Sequence, residues 1–303
     1  MSFVLVDGKQ IYYEEYGEKG KQTLVYLHGG PGESCLTYTH QAKILGEKFH
    51  VISFDQYGVF RSDAIPEEQR AGVMYHVKLI EQMKIALKIG RWIPIGHSFG
   101  GMLALVYAHT YPDSIDAVIY DCPMWSTLHT SQAIAKATIP YFEQNGMTEQ
   151  AALCKEILQN NISPQDAFEK ALHIDMNDGV NEYCHVIKMS DYHKYINEHI
   201  PEPNVADDCW EKFIPFTQKL RDENDFYENY LPFIEKIIKP QMLMVGEYDM
   251  TCGKYEQAYF REHSPNGKFE MLKGCAHLTW FEQPKKYTQL ITDFIHEQAT
   301  MRN

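Results

Sequence analysis

Positive charge is in short supply along this 303-residue sequence. It has 28 lysines and arginines against 41 aspartates and glutamates, a net charge of -13. A duplex-binding protein needs a basic footprint, so nucleic acid and anionic membrane are excluded as expected partners. No cysteine pair has the C-x-x-C spacing, and the seven cysteines are an odd, scattered set, which argues against a zinc ribbon or a disulfide framework. Reduced thiols in a cytoplasmic setting are expected instead. The N-terminal stretch lacks a basic segment followed by an apolar run, so no signal peptide is expected. No uninterrupted apolar run reaches the length of about 18 residues that a membrane span needs. Neither a Rossmann nor a P-loop glycine fingerprint occurs, so no nucleotide or other cofactor is expected. Cys184-His185 with His193 and His199 lacks recognised ligand spacing, and no metal is expected there.

What the sequence does have is apolar and aromatic material. Hydrophobic residues make up 44% and aromatics 13%, enough to bury a core and to exclude intrinsic disorder. Phe3 to Val6 and Gln10 to Tyr16 flank Asp7-Gly8, which predicts a hairpin. Thr23 to Gly29, His50 to Asp55, Trp92 to Gly96, Asp116 to Asp121 and Gln241 to Asp249 are apolar runs ending in polar or glycine residues. Such runs suit a parallel sheet buried on both faces. Helical spacing from Val73 to Lys88, Ser98 to His109, Lys254 to His263 and Pro284 to His296 alternates with them, as βαβ units require. From about Pro123 to Leu231 the strand-like runs stop and helical segments take over. The expected organisation is one α/β core, residues 1–123 and 232–303, interrupted by a helical cap at 124–231.

The residues with chemistry sit where these strands end. Gly96-His97-Ser98-Phe99-Gly100 is a G-x-S-x-G sequence between a short strand and a helix of small residues. Its glycines permit a sharp turn that exposes the Ser98 hydroxyl, which needs an adjacent base to act as nucleophile. In the order Ser, Asp, His, the partners are Asp249 at the end of one strand and His277 in the loop after the next. Asp121 is an alternative acid. His28-Gly29-Gly30-Pro31-Gly32 follows the strand TLVYL. The N–H of Gly30, with that of Phe99 after the nucleophile, would form an oxyanion hole, and Gly29 would lie against the substrate. His28 is expected to orient that loop. Together these features predict covalent serine catalysis.

The motifs HGGPG at 28–32, FDQYGVFRSD at 54–63, GHSFGG at 96–101, VGEYD at 245–249 and GCAHLTWFEQP at 274–284 resemble the proline iminopeptidase family of α/β-hydrolases, particularly its tricorn-interacting aminopeptidase branch. The resemblance covers the core and matches the helical insertion to the family's cap. It implies an α/β-hydrolase fold, a mostly parallel sheet flanked by helices. It also implies Ser98, Asp249 and His277 as catalytic residues, with Gly30 and Phe99 as the oxyanion hole. Asp55-Gln56 matches the family's D-Q pair, expected to support the glycine loop. The implied activity is release of N-terminal residues, proline among them, from short peptides. The alternative is a small-molecule esterase or lactonase. Two departures stand out. Phe60 occupies a position that is usually glycine. Met250 stands where the family places an acidic residue that captures the substrate's α-amine. Asp225, in Asn224-Asp225-Phe226, matches a second amine-binding acid, with Glu223 or Glu228 as substitutes.

Overall fold

The computed structural model of the protein describes residues 2–184, 188–199 and 208–301. Strands β1 (Ser2–Val6) and β2 (Lys9–Tyr16) form a hairpin. Its two-residue turn has Asp7 at φ 48° and Gly8 at φ 77°, the double left-handed conformation that Asp-Gly tolerates. The other strands are β3 (Thr23–Leu27), β4 (His50–Phe54), β5 (Ile93–His97), β6 (Val118–Asp121), β7 (Gln241–Gly246) and β8 (Gly267–Leu272). They form one sheet in the order β1-β2-β4-β3-β5-β6-β7-β8, antiparallel at β1/β2 and β2/β4 and parallel elsewhere.

The parallel strands are buried on both faces, and their side chains divide accordingly. On β3, Val25 and Leu27 join one apolar cluster while Leu24 and Tyr26 join another. Helices α1 (Thr39–Gly46), α2 (Val73–Ala86) and α3 (Phe99–Thr110) pack on these faces in the first half of the chain. The apolar spacing of the sequence foretold α2 and α3. It did not single out α1, whose eight residues, THQAKILG, mix polar and apolar positions too closely to show a stripe.

Between β6 and β7 every helix or strand among the described residues is helical. These helices are α4 (Thr127–Gln144), α5 (Thr148–Ile157), α6 (Pro164–Ala171), α7 (Asp178–Cys184), α8 (Met189–His199), α9 (Asp208–Glu211) and α10 (Phe213–Arg221), followed by 3-10 turns at Asn224–Tyr227 and Leu231–Lys236. Ala135 and Phe142 of α4, Cys154 and Ile157 of α5 and Ala167 of α6 make a small apolar core of their own. The chain then returns to β7 and closes with α11 (Lys254–His263), α12 (Thr279–Glu282) and α13 (Pro284–Met301). Among the described residues no helix is long and apolar enough to cross a membrane.

Two features of this framework carry predictions. Helix α2 begins at Gly72, which offers no side chain to its first N–H groups. Asp225 supplies the cap from 152 and 151 residues away in the chain: Oδ1 accepts from the Val73 N–H at 3.1 Å and Oδ2 from the Met74 N–H at 2.9 Å. A Cβ on Gly72 would meet that carboxylate at 2.3 Å, so glycine there makes room for it. Asp225→Ala should therefore cost about 0.5–2 kcal/mol of stability, the range for lost helix caps, measured by urea denaturation.

His76, on α2, is 2% exposed, and its Nε2 has no hydrogen-bond partner. Burial pushes its pKa from 6.5 down to about 3, and neighbouring His28 adds to the shift. A group whose folded pKa is depressed stabilises fully above its unfolded value and loses that contribution as the pH falls. Between pH 7 and 5 this histidine should cost the fold about 2 kcal/mol. Denaturant titrations of His76→Gln should show a loss over that interval smaller by about that amount. An unchanged loss would contradict the assignment.

Candidate active site

The groups of chemical interest collect at the C-terminal ends of the parallel strands: His28 after β3, Ser98 after β5, Asp121 on β6, Asp249 after β7 and His277 after β8. That edge is where open α/β sheets bind their ligands. Ser98 sits between strand and helix at φ 53°, ψ -119°, a strained backbone for a residue with a Cβ. Its flanks must be glycine. A Cβ on Gly96 would lie 2.3 Å from the Gly100 carbonyl, and one on Gly100 would lie 2.0 Å from the Leu27 carbonyl. The turn is tied down at both ends. The Ser98 N–H donates to the Asp121 carbonyl at 3.1 Å, and the Ser98 carbonyl accepts from Met124 N–H at 2.9 Å.

His277 and Asp249 form a buried pair, Nδ1 to Oδ1 at 2.7 Å. The Asp249 carboxylate also accepts from the N–H groups of Thr251 at 3.2 Å and Cys252 at 3.0 Å. Burial alone would raise its pKa. The His277 imidazole and those two N–H groups outweigh that and hold it below the usual carboxylate value. Asp121, the alternative acid, has a different partner. It accepts from His97 Nδ1 at 3.1 Å and from the Thr279 hydroxyl. His97 and Asp121 face each other in the β5/β6 register, and the His97 ring lies 4.7 Å from that of His277. Burial lowers the pKa of His97, but the Asp121 carboxylate more than offsets it and the net shift is upward.

The glycine loop is held by buried hydrogen bonds. The Gln56 N–H donates to His28 Nε2 at 3.1 Å, and Gln56 Nε2 donates to the His28 carbonyl at 2.9 Å. An acceptor at Nε2 means that Nδ1 carries the proton and donates to the Gly29 carbonyl at 3.0 Å. Burial keeps His28 neutral by lowering its pKa. Asp55, fully buried, accepts from Ser34 Oγ at 2.6 Å, Cys35 N–H at 3.0 Å and Arg61 Nε at 2.7 Å. Burial would raise its pKa, and Arg61 overrides that. Phe60 takes the left-handed backbone that glycine would have supplied, at φ 45°, with Lys212 Nζ donating to its carbonyl at 2.9 Å. The loop therefore keeps its turn despite the side chain.

Ser98, His277 and Gly30 line one cavity of about 430 Å³. Helices α4, α6 and α8 cover it with residues such as Ile134, Phe168 and Tyr192. The Phe99 N–H opens helix α3 next to Ser98, among the first-turn groups that have no acceptor within the helix. Gly29 packs directly under the serine: a Cβ there would touch the Ser98 Cβ at 3.0 Å.

The carboxylates expected to hold an amine, Asp225 with Glu223 or Glu228, do not line this cavity, and neither does Met250. Asp225 caps α2. Glu223 accepts from Arg70 Nε at 2.7 Å. Met250 is buried in the apolar core of α4–α6 and borders a separate cavity of about 660 Å³ on the far side of Asp249. Sequence position put these residues near the serine, but the Asp225 and Glu223 side chains bond to core residues and Met250 packs among apolar cap residues. Among the described residues, the carboxyl side chain that lines the cavity is Glu33, directly after HGGPG. Its place in a loop otherwise made of oxyanion-type glycines was the available signal.

Cys122, Asp249 and His277 offer potential metal-ligand atoms within 4.8 Å of one another. Burial, with Asp249 and Asp121 close by, pushes the Cys122 thiol well above its usual pKa, which opposes the thiolate a metal needs. His185 of the Cys184-His185 segment lies outside the described residues.

Curated relatives extend over nearly the whole chain. A proline iminopeptidase of Heyndrickxia coagulans is 25% identical over 97% of this chain and 98% of its own. One from Lactobacillus helveticus strain DPC 4571 is 27% identical over 96% and 95%. A crystal structure of the proline iminopeptidase of Mycobacterium smegmatis matches with TM-score 0.68 at 17% identity, covering 100% of this chain and 99% of that one. The family described as the alpha/beta hydrolase fold matches residues 22–173. With that match spanning half of the sequence, and with a strained serine turn leading from strand to helix, the chain belongs to the alpha/beta hydrolase fold family.

Proposed function

We propose that the protein is a serine hydrolase working through an acyl-enzyme, and that its substrates are short peptides from which it releases an N-terminal residue. The observation that carries the first part is the shared cavity: Ser98 on its strained turn, His277 paired to Asp249, and Gly30 beside them. The second part rests on the similarity to proline iminopeptidases along nearly the full length.

In this mechanism Ser98 Oγ attacks the scissile carbonyl while the second ring nitrogen of His277, Nε2, takes its proton. Asp249 accepts the Nδ1–H, which fixes the tautomer and stabilises the imidazolium. The carbonyl oxygen becomes an oxyanion held by the N–H groups of Gly30 and Phe99. One such donor contributes about 2.7–4 kcal/mol to transition-state stabilisation. The C–N bond then breaks, His277 returns the proton to the leaving amine, and water repeats the sequence to free the acid.

A second reading, an esterase or lactonase for small apolar acyl groups, draws on one observation. Asp225, Glu223 and Met250 supply no carboxylate to the cavity.

A fluorophosphonate probe should label the wild-type protein and fail on Ser98→Ala, which should also lose at least about 10³-fold in kcat. Equal labelling of the variant would remove Ser98 as nucleophile. Proline p-nitroanilide and its N-acetyl derivative separate the two readings. Acetylation should abolish turnover by an aminopeptidase. If both are cleaved alike, or only p-nitrophenyl esters react, the esterase reading replaces it.

A further inference from the structure

We infer that Glu33, on the core side of the cavity, is the group that selects a substrate carrying a positive charge beside its scissile carbonyl. The inference deepens the proposed function and rests on Ser98 being the nucleophile.

Glu33 follows Gly30 by three residues, so it is fixed by the same loop that offers the oxyanion donor. One oxygen, Oε1, accepts from the Thr37 hydroxyl at 3.1 Å, which orients the carboxylate. The other, Oε2, has no hydrogen bond to any described residue. Both this oxygen and the serine border the space above Gly29: a Cβ built there would lie 3.0 Å from the Ser98 Cβ and 3.3 Å from Glu33 Oε2. Tyr192, on the covering helix α8, lies close enough for the Glu33 charge to add to the effect of burial in raising its pKa.

The charges around Ser98 are therefore few. Among the described residues lining the cavity there is no lysine or arginine, and Glu33 is the carboxylate. The two imidazoles there, His97 and His277, already donate to Asp121 and Asp249. Much of the remaining lining is apolar, including Met124, Ile134, Phe168 and Leu172. The Glu33 carboxylate is half-buried, and a cation bound against its open oxygen gains a charge-assisted hydrogen bond. An anion placed there is repelled. The cation must also be near the reaction. An α-ammonium is two bonds from the carbonyl carbon that Ser98 attacks, so a substrate seated on Ser98 and Gly30 brings it to the Glu33 side of the same loop. The negative site thus comes from the core, where the expected cap carboxylates are turned elsewhere.

The test compares two anilides of one shape: proline 4-nitroanilide, with a ring ammonium, and cyclopentanecarboxylic acid 4-nitroanilide, with a methylene in its place. The wild-type protein should favour the charged substrate in kcat/KM. In Glu33→Gln that preference should fall about tenfold or more, the size of one charged hydrogen bond. A preference that stays within about twofold of wild type, in a variant whose Ser98 still reacts with fluorophosphonate, overturns the inference and leaves the serine mechanism standing. Full anilide hydrolysis by Ser98→Ala overturns the mechanism instead. A second measurement needs no variant to fold. Pyrrolidinium should slow fluorophosphonate labelling of wild-type Ser98 more strongly than neutral cyclopentanol does, and equal protection by the two also overturns the inference.

Discussion

The buried carboxylate of Asp55 is the constraint on which the rest of the site depends. It is fully enclosed and accepts from Ser34 Oγ, Cys35 N–H and three nitrogens of Arg61 (the backbone N–H, Nε and one terminal nitrogen), from segments on either side of it. Two of these donors belong to the stretch that follows the glycine loop, and the neighbour Gln56 grips His28, which precedes it. The loop bearing Gly30 and Glu33 is thus held at both ends by consecutive residues of another strand end. Arg61 completes the arrangement. It also reaches Glu14 and stacks 3.7 Å over the Tyr12 ring, so its guanidinium is satisfied as it neutralises Asp55. Removing a single partner from such a pair leaves an uncompensated buried charge, which costs several times more than the intact pair contributes.

That rigidity explains how the strained turn at Ser98 persists. A non-glycine residue in the left-handed region costs about 1–3 kcal/mol and survives only where its surroundings over-determine it. Here they do. The Ser98 N–H and carbonyl are both bonded outside the turn, Gly100 sits against the Leu27 and His28 carbonyls, and Gly29 lies beneath the serine Cβ. Loop and turn are packed into each other with no space for a methyl group between them. Ser98, Gly30 and Phe99 are therefore placed by the core, and the cap is left to shape the space above them.

Much of this was legible in the sequence, for reasons that also mark where legibility stopped. Strand ends, the glycine-flanked serine and the order of Ser98, Asp249 and His277 are local signals. Backbone geometry and burial dictate them residue by residue, and the alternation of apolar runs carries the sheet. The choice between Asp249 and Asp121 was not local. It turned on which carboxylate each histidine reached, and the β5/β6 register gives Asp121 to His97. The amine-binding assignments failed for the same reason. Asp225 looks like an acidic cap residue in the sequence, yet whether it faces the cavity depends on how the 3-10 turn containing it packs on α2, and there its carboxylate found two unpaired N–H groups. Met250 went to the apolar core of the cap because a thioether gains more by burial than by facing the cavity. Sequence spacing has no access to either competition.

Under the proposed serine mechanism, the charge at Glu33 acts on the transition state as well as on binding. In that mechanism attack by Ser98 creates an oxyanion in the cavity that the Glu33 carboxylate also lines. Two like charges held in one partly desolvated cavity repel each other. With a neutral acyl group, part of what the Gly30 and Phe99 donors contribute is spent against that repulsion. With an ammonium between them, the carboxylate is neutralised before the oxyanion forms, and the donors act at full strength. Discrimination then appears in kcat/KM, because the cation's largest contribution comes when the oxygen is charged. The overall charge of -13 plays little part in this, since exposed charges beyond about 8–10 Å are screened by salt. One carboxylate on the glycine loop sets the local field, in a cavity to which the described cap residues contribute none.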